Sequence, residues 1–308
     1  MAHSPRHANP ELLIAPRFCG PPGSGNGGYV SGRVAAYLDG PATVTLRTPP
    51  PLATPMAVER DGEGTLRVTR DGMLIAEAVL AGDGPALEVP SPVSARQAHA
   101  AAGRAAYYAD PVFPCCFVCG MDREPDDGLR IFPGPVAGRQ LWAAPWVPDK
   151  SVADDGGTVL PEMVWAALDC PSGIAAAEAV GVSGDTAILL GRMTVTLAAH
   201  SAAQSAAQSA ALPVVGGQCR VIAWPAGIDG RKLTAGSALI GPDDTVLAAA
   251  STVWLTVPRR DPAGPGHSTP PGHSTPPRDP APPRDSTPSR DSTPPGGPVP
   301  ASRGRKAS

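Results

Sequence analysis

Two stretches of this chain repeat one order of elements, and that repetition restricts the fold more than any other feature. The tetrapeptide TVTL occurs at Thr43–Leu46 and again at Thr194–Leu197. Each copy follows an alanine-rich segment of helical character, Tyr29–Leu38 before the first and Leu160–Val180 before the second. Each is followed by strand-like runs separated by tight turns. In the first half these are PMAVER, GTLRVTR and MLIAEAVLA, the last two joined by Asp71-Gly72. Asp-Gly between alternating apolar runs is the strongest short-range hairpin signal. In the second half they are GQCRVIAW, RKLTAGSALI and TVLAAASTVWLTV, with a GPDD turn before the third. Four identical residues are weak support; the shared order of elements gives them weight. One helix and one antiparallel meander per half predict an α+β chain. Laying a long helix on a curved sheet buries both apolar faces. Two such sheets can then pair edge to edge, which hides strands that would otherwise recruit other chains. Between the halves, SARQAHAAAGRAAYY (Ser94–Tyr108) reads as a linking helix.

Charge and composition narrow the function classes. A net charge of −3 over 308 residues lacks the basic face expected of a nucleic-acid binder. No apolar run is long enough to span a bilayer, and MAHSPRHANPELLIAPRF does not read as a secretory leader. Six scattered cysteines then suggest reduced thiols in a cytoplasm. From about Asp261 the chain becomes GHSTPPGHSTPPRDPAPPRDSTP, with almost no aliphatic residues to bury. Such a segment cannot offset the entropy of ordering and reads as a disordered tail. HSAAQSAAQSAA (His200–Ala211) is a second low-complexity insert, a loop extension or short helix.

Glycines are dense just before the first helical segment, where Gly23, Gly25 and Gly28 spell GxGxxG. A dinucleotide site needs a strand feeding those glycines and an acid about 20 residues further on. Pro21-Pro22 precludes the strand, Asp39 comes too early, and hairpins follow where a second βαβ unit is required. The nucleotide reading is rejected. Two readings stay open for Gly27 and Gly28. Their N–H groups open a helix and could meet a ligand carbonyl or phosphate. Alternatively Asn26 simply caps the helix and the glycines loosen the loop.

With NGGYVSGRVAAYL as a first central helix, VWAALDCPSGIAA as a second, and a meander after each, the chain resembles double hotdog acyl-CoA thioesterases. The segment CFVCGMDREPDDGLRIFPGP is similar to a mostly uncharacterised actinobacterial branch of them. The resemblance covers roughly Pro10 to Pro258. It implies a tandem double hotdog: an N-terminal hotdog at 10–93, a linker helix at 94–112, a C-terminal hotdog at 113–259 and a disordered tail at 260–308. It also implies an acyl-CoA or related thioester as substrate and no cofactor. A non-catalytic acyl or CoA binder, or a hydratase-like relative, is the alternative, and pairing into a homodimer stays open.

In such proteins a backbone N–H at the helix start polarises the thioester carbonyl, and an acid within a helix activates water or attacks. Mapped by motif, Gly27 and Gly28 match the paired glycines, Gly28 or Tyr29 supplies the N–H, and Asn26 precedes them. Asp169 of AALDCPSG matches the acid, with Trp165 beside it in a dry site where a carboxylate could act as base. Read without the resemblance, Asp169 could equally be a turn residue capping a new helix at Ser172, since Pro171 follows it. Thr194 stands for the threonine those enzymes use, although strand filling is the commoner role for such a residue. The last strand reads ASTVW where type II thioesterases have ASTVQ, so Trp254 replaces a glutamine that holds the catalytic water. The first helix carries Arg33 and no acid, so at most one complete site is expected.

Cys116 and Cys119 have zinc-knuckle spacing, but no second pair or histidine partner follows in sequence, and Cys115, Cys170, Cys219 and His200 look isolated. The expectation is a tight turn with small buried thiols and no metal.

Overall fold

The computed structural model describes residues 10–82, 87–182, 184–198 and 212–259. The segment 260–308, the insert around His200 and the extreme N-terminus lie outside the described residues. Among the described residues, eleven strands and three α-helices are present in the order β1 (Glu11–Leu12), α1 (Gly27–Ala35), β2 (Ala42–Leu46), β3 (Met56–Arg60), β4 (Leu66–Arg70), β5 (Met73–Leu80), α2 (Ala95–Ala101), β6 (Gly134–Pro135), β7 (Trp142–Trp146), α3 (Pro161–Ala179), β8 (Thr186–Leu197), β9 (Cys219–Asp229), β10 (Lys232–Ile240) and β11 (Val246–Pro258).

All eleven strands form one antiparallel sheet, in the order β1-β3-β4-β5-β2-β8-β11-β10-β9-β7-β6. The halves of the duplication therefore occupy the two halves of one sheet, and the seam is β2 against β8. Those strands carry the two TVTL copies. Their register sets Thr43 opposite Thr194 and Val44 opposite Met193. The equivalent residues Thr43 and Thr194 thus face each other, as they would on a local twofold axis. The Oγ1 atoms of Thr43 and Thr194 lie 2.8 Å apart in a hydrogen bond.

The hairpin between β4 and β5 forms at Asp71-Gly72, with φ of +49° and +77°. Positive φ at both central residues is what a type I′ turn requires, and it explains why Asp-Gly is used there. The linking segment is less helical than its alanines suggest. Helix α2 starts on a Ser94 capping box and ends at Ala101. Gly103 (φ +70°) turns the chain, and a single 3-10 turn at Ala106–Ala109 completes the link, so no helix spans 94–112. The strands β7 and β6 extend the sheet beyond β9.

Helix α1 is short and α3 long, and they cross each other over the same side of the sheet. The crossing is close because α1 presents glycine. A Cβ on Gly28 would stand 2.4 Å from Asp169 Cβ, and one on Gly32 would stand 2.6 Å from Glu162 Cα. Only hydrogen fits at these two positions, one helical turn apart on the same face.

Helix α3 is continuous through Pro171, so Asp169 is a mid-helix residue and does not cap a second helix. Pro171 has no N–H to donate to the preceding turn. Carbonyls around the gap take side-chain donors: Ser237 Oγ to Leu168 O (2.7 Å) and Ser172 Oγ to Asp169 O (2.7 Å).

Candidate active site

The first turn of α1 lies against the middle of α3, and this contact brings together most of the residues singled out by sequence. Three backbone donors open α1, and each can be accounted for. Tyr29 N–H donates to Asn26 Oδ1 (2.9 Å), so Asn26 is the N-cap. Gly28 N–H donates to Asp169 Oδ2 (2.9 Å). Gly27 N–H has no protein acceptor among the described residues. The two N–H groups expected to receive a ligand carbonyl are thus both engaged inside the protein, and Gly27 is the open one.

Asp169 is only 2% exposed. Its Oδ2 also accepts from Asn26 Nδ2 at 2.9 Å, while its Oδ1 has no partner among the described residues. Burial raises its pKa to about 7, against the hydrogen bonds from Gly28 and Asn26 that favour the charged form. A carboxylate in this state can take a proton or attack an electrophile through its free oxygen.

Around this core, Tyr29 stacks on Phe18 with ring centroids 3.8 Å apart, and its hydroxyl accepts from Arg33 Nη1 (3.1 Å). Arg33 also approaches Glu162 across the crossing (4.0 Å). The carbonyl of Trp165 lies 2.7 Å from where a Gly28 Cβ would sit, and the Trp165 side chain is buried. Gly27 faces Leu190 of β8.

Trp254 lies against Gly173, one turn beyond Asp169 on α3. Its indole Nε1 donates to Ser172 Oγ (3.0 Å) and Thr252 Oγ1 (3.1 Å), and Thr252 Oγ1 in turn donates to Ser172 Oγ (3.0 Å). This closed polar network was not anticipated from sequence; the spacing of Thr252 and Trp254 on one strand face is the signal that was available. Thr194 is not brought to Asp169. Its neighbours Met193 and Val195 are buried toward the helices, so Thr194 points from the other face of β8 and bonds Thr43.

Cys170 is not isolated. Its sulfur lies 3.6 Å from Cys116 Sγ, and the sulfurs of Cys116, Cys119 and Cys170 all lie within 4.8 Å of one another. The second N–H of the Asn26 amide reaches Cys116 Sγ (3.8 Å) and Cys170 Sγ (3.7 Å). Asn26 therefore links the helix start, the carboxylate and the thiols. The loop carrying Cys116 is held by Arg123, which donates to Cys115 O, Arg17 O and Asp127, and by Phe117 N–H to Cys19 O.

The fold and site define an α+β chain with a buried carboxylate at a glycine-mediated helix crossing. No known protein-family profile matches the chain, and no curated protein sequence matches it. Solved structures do. A proposed thioesterase of Novosphingobium aromaticivorans is 15% identical, covering 80% of this chain and 94% of its own, with a TM-score of 0.49. The tesB protein of Mycobacterium avium subsp. paratuberculosis is 13% identical, covering 80% and 92%, with a TM-score of 0.47. The acyl-CoA thioesterase II TesB2 of Mycobacterium marinum is 12% identical, covering 82% and 93%, with a TM-score of 0.48.

Proposed function

We propose that this chain is a tandem hotdog acyl-thioester hydrolase, acting on an acyl-CoA or related thioester at the α1–α3 crossing. One observation carries the reading: Asp169 is a buried carboxylate with Oδ2 fixed by Gly28 N–H and the Asn26 amide, and Oδ1 left without a partner among the described residues. In this reading water adds to the thioester carbonyl while Asp169 takes its proton. The C–S bond then breaks, and the sulfur leaves as free thiol after receiving a proton. Negative charge developing on the carbonyl oxygen is met by Gly27 N–H, the unengaged donor at the positive end of α1. Asn26 and Gly28 position the carboxylate.

A second reading is a non-catalytic acyl or CoA binder. It is favoured by Trp254, whose indole fills the space against Gly173 and is tied to Ser172 and Thr252, where the resemblance expects a water-holding glutamine. Among the described residues no helix is long and apolar enough to cross a membrane. The expected setting is the cytoplasm, where thiols stay reduced.

The test is a panel of acyl-CoA esters with free thiol followed over time. Turnover by the wild type that disappears in Asp169→Ala supports the hydrolase. Ligand binding without thiol release moves the assignment to the binding module. Hydration of an enoyl-CoA without thiol release would favour the dehydratase-like relative.

A further inference from the structure

We propose that Cys116, Cys119 and Cys170 bind one soft divalent transition-metal ion, zinc foremost, which fastens the loop around residues 113–131 to helix α3. The inference goes beyond the hydrolase reading and does not need it.

The three sulfurs come from two separate parts of the chain and converge, with Cys116 and Cys119 buried and Cys170 half-buried. Thiolate, not carboxylate, is the donor set, which selects zinc and its soft neighbours over magnesium or calcium. The geometry fits. Zinc–sulfur bonds of about 2.3 Å in a tetrahedron set the sulfurs about 3.8 Å apart. Cys116 and Cys170 are 3.6 Å apart, and no pair in the cluster exceeds 4.8 Å. A disulfide could join only two of the three and would leave one thiol unexplained.

The loop itself is shaped as a knuckle. In Cys116-Phe117-Val118-Cys119-Gly120, Gly120 N–H donates to Cys116 O (2.9 Å) and closes the turn between the two cysteines. Any side chain at Gly120 would collide with backbone, since its Cβ would stand 2.4 Å from Cys116 O and 2.5 Å from Pro114 O. The Asn26 amide adds an N–H toward Cys116 and Cys170. Donors aimed at sulfur stabilise thiolate, and such outer partners orient metal ligands.

Binding replaces three S–H protons by three metal–sulfur bonds and releases those protons. Three thiolates leave one tetrahedral position to another donor. Two oxygens approach the sulfurs: Asp169 Oδ2, 4.0 Å from Cys170 Sγ, and the Tyr107 hydroxyl, 4.0 Å from Cys119 Sγ.

The experiment uses the full chain, reduced anaerobically, stripped with chelator and titrated with cobalt(II). Expected is saturation at one equivalent, with sulfur-to-cobalt charge-transfer absorption and the visible bands of tetrahedral cobalt, both erased by one equivalent of zinc. Cys170→Ser should weaken cobalt binding at least tenfold and lower the charge-transfer intensity by about a third, whereas Cys219→Ser, buried in β9 away from the cluster, should change neither. If Cys170→Ser does not fold, the wild-type stoichiometry and spectrum still decide. Uptake well below one equivalent, a spectrum without sulfur ligation, or a spectrum unchanged by Cys170→Ser overturns the site. So does isolation of the chain with a Cys116–Cys170 disulfide that resists the reductant and excludes metal. Thiol release from acyl-CoA is scored separately, so a chain that takes up no cobalt yet hydrolyses thioesters refutes only this inference.

Discussion

Replacing Gly28 by alanine tests the helix crossing directly. The added Cβ would lie 2.4 Å from Asp169 Cβ, 2.7 Å from Trp165 O and 3.0 Å from Asp169 Cγ. Ordinary contact distances exceed the shortest of these by about 1 Å, so the helices must part or α1 must rotate. Overpacking of this kind costs about 1–3 kcal/mol. Displacement also stretches the Gly28 N–H bond to Asp169, a bond to a charged acceptor worth about 1.5–3 kcal/mol. Against this, alanine gains at most about 1 kcal/mol of helix propensity over glycine. The net expectation is a loss of about 2–4 kcal/mol, or a fall in Tm of about 5–15 °C for a unit of this size. Removing the carboxylate in the same background, as Gly28→Ala with Asp169→Ala, should not restore stability, because Asp169 Cβ and the Trp165 carbonyl remain in place. The comparison is Gly62→Ala, where nothing lies within 4 Å of the new atom. Denaturant midpoints for the variants decide the matter. If Gly28→Ala is as stable as Gly62→Ala, the helices do not meet as described and the site built on their contact is wrong.

Further expectations follow from the same geometry. Asn26→Asp keeps the acceptor for Tyr29 N–H but sets a second carboxylate where Asp169 has its donor, so a loss of about 2–4 kcal/mol is expected in urea unfolding, and unchanged stability would contradict the bond. Trp254→Phe keeps the ring against Gly173 and loses the donors to Ser172 and Thr252; about 1–2 kcal/mol should go, read from the denaturation midpoint. Ser237→Ala removes the donor to Leu168 O beside the proline gap and should cost about 1 kcal/mol in the same assay. Thr194→Val breaks the bond to Thr43 at the seam, with a cost of about 1 kcal/mol, yet thiol release from acyl-CoA should stay within about twofold of wild type; a large drop would return Thr194 to the site.

The duplication was legible because it rests on local signals that tertiary contacts did not override. Asp71-Gly72 dictates its own turn, and β9, β10 and β11 fall on the strand-like runs of the second half. The pairing of the two TVTL strands follows from a duplicated unit with two free edges. Other features were hidden for definable reasons. Alanine content over-extended α2 because Gly103 supplies a stop that composition averages away. Strands β6 and β7 were missed because Pro135 and Pro145 interrupt their pattern, which is tolerated where pairing is short and at the sheet edge. Gly28 and Gly32 were visible as residues, but their spacing of one helical turn was obscured by the louder GxGxxG. Cys170 looked solitary because the loop that meets it is more than fifty residues away, and no local pattern records such a contact.

The turn of α3 from Asp169 to Gly173 holds a buried acid, a thiol, a proline, a serine and a glycine, in the middle of a helix whose other inward positions are methionine, tryptophan, alanine, valine, leucine and isoleucine. Each choice works locally against a buried helix. The acid loses solvation, the proline deletes a hydrogen bond, and the glycine gives up side-chain packing. Each is matched by a compensating group: Gly28 N–H and Asn26 for the acid, Ser237 and Ser172 for carbonyls near the proline, Trp254 for the glycine. Stability alone would be served by leucine or alanine at these positions and would need none of those partners. When locally unfavourable residues cluster in one turn, and residues from α1, β10 and β11 are set around them, chemistry is the economical explanation. The one atom in that turn left uncompensated is Asp169 Oδ1, a side-chain oxygen with no partner among the described residues, and the proposed hydrolysis sets its water there.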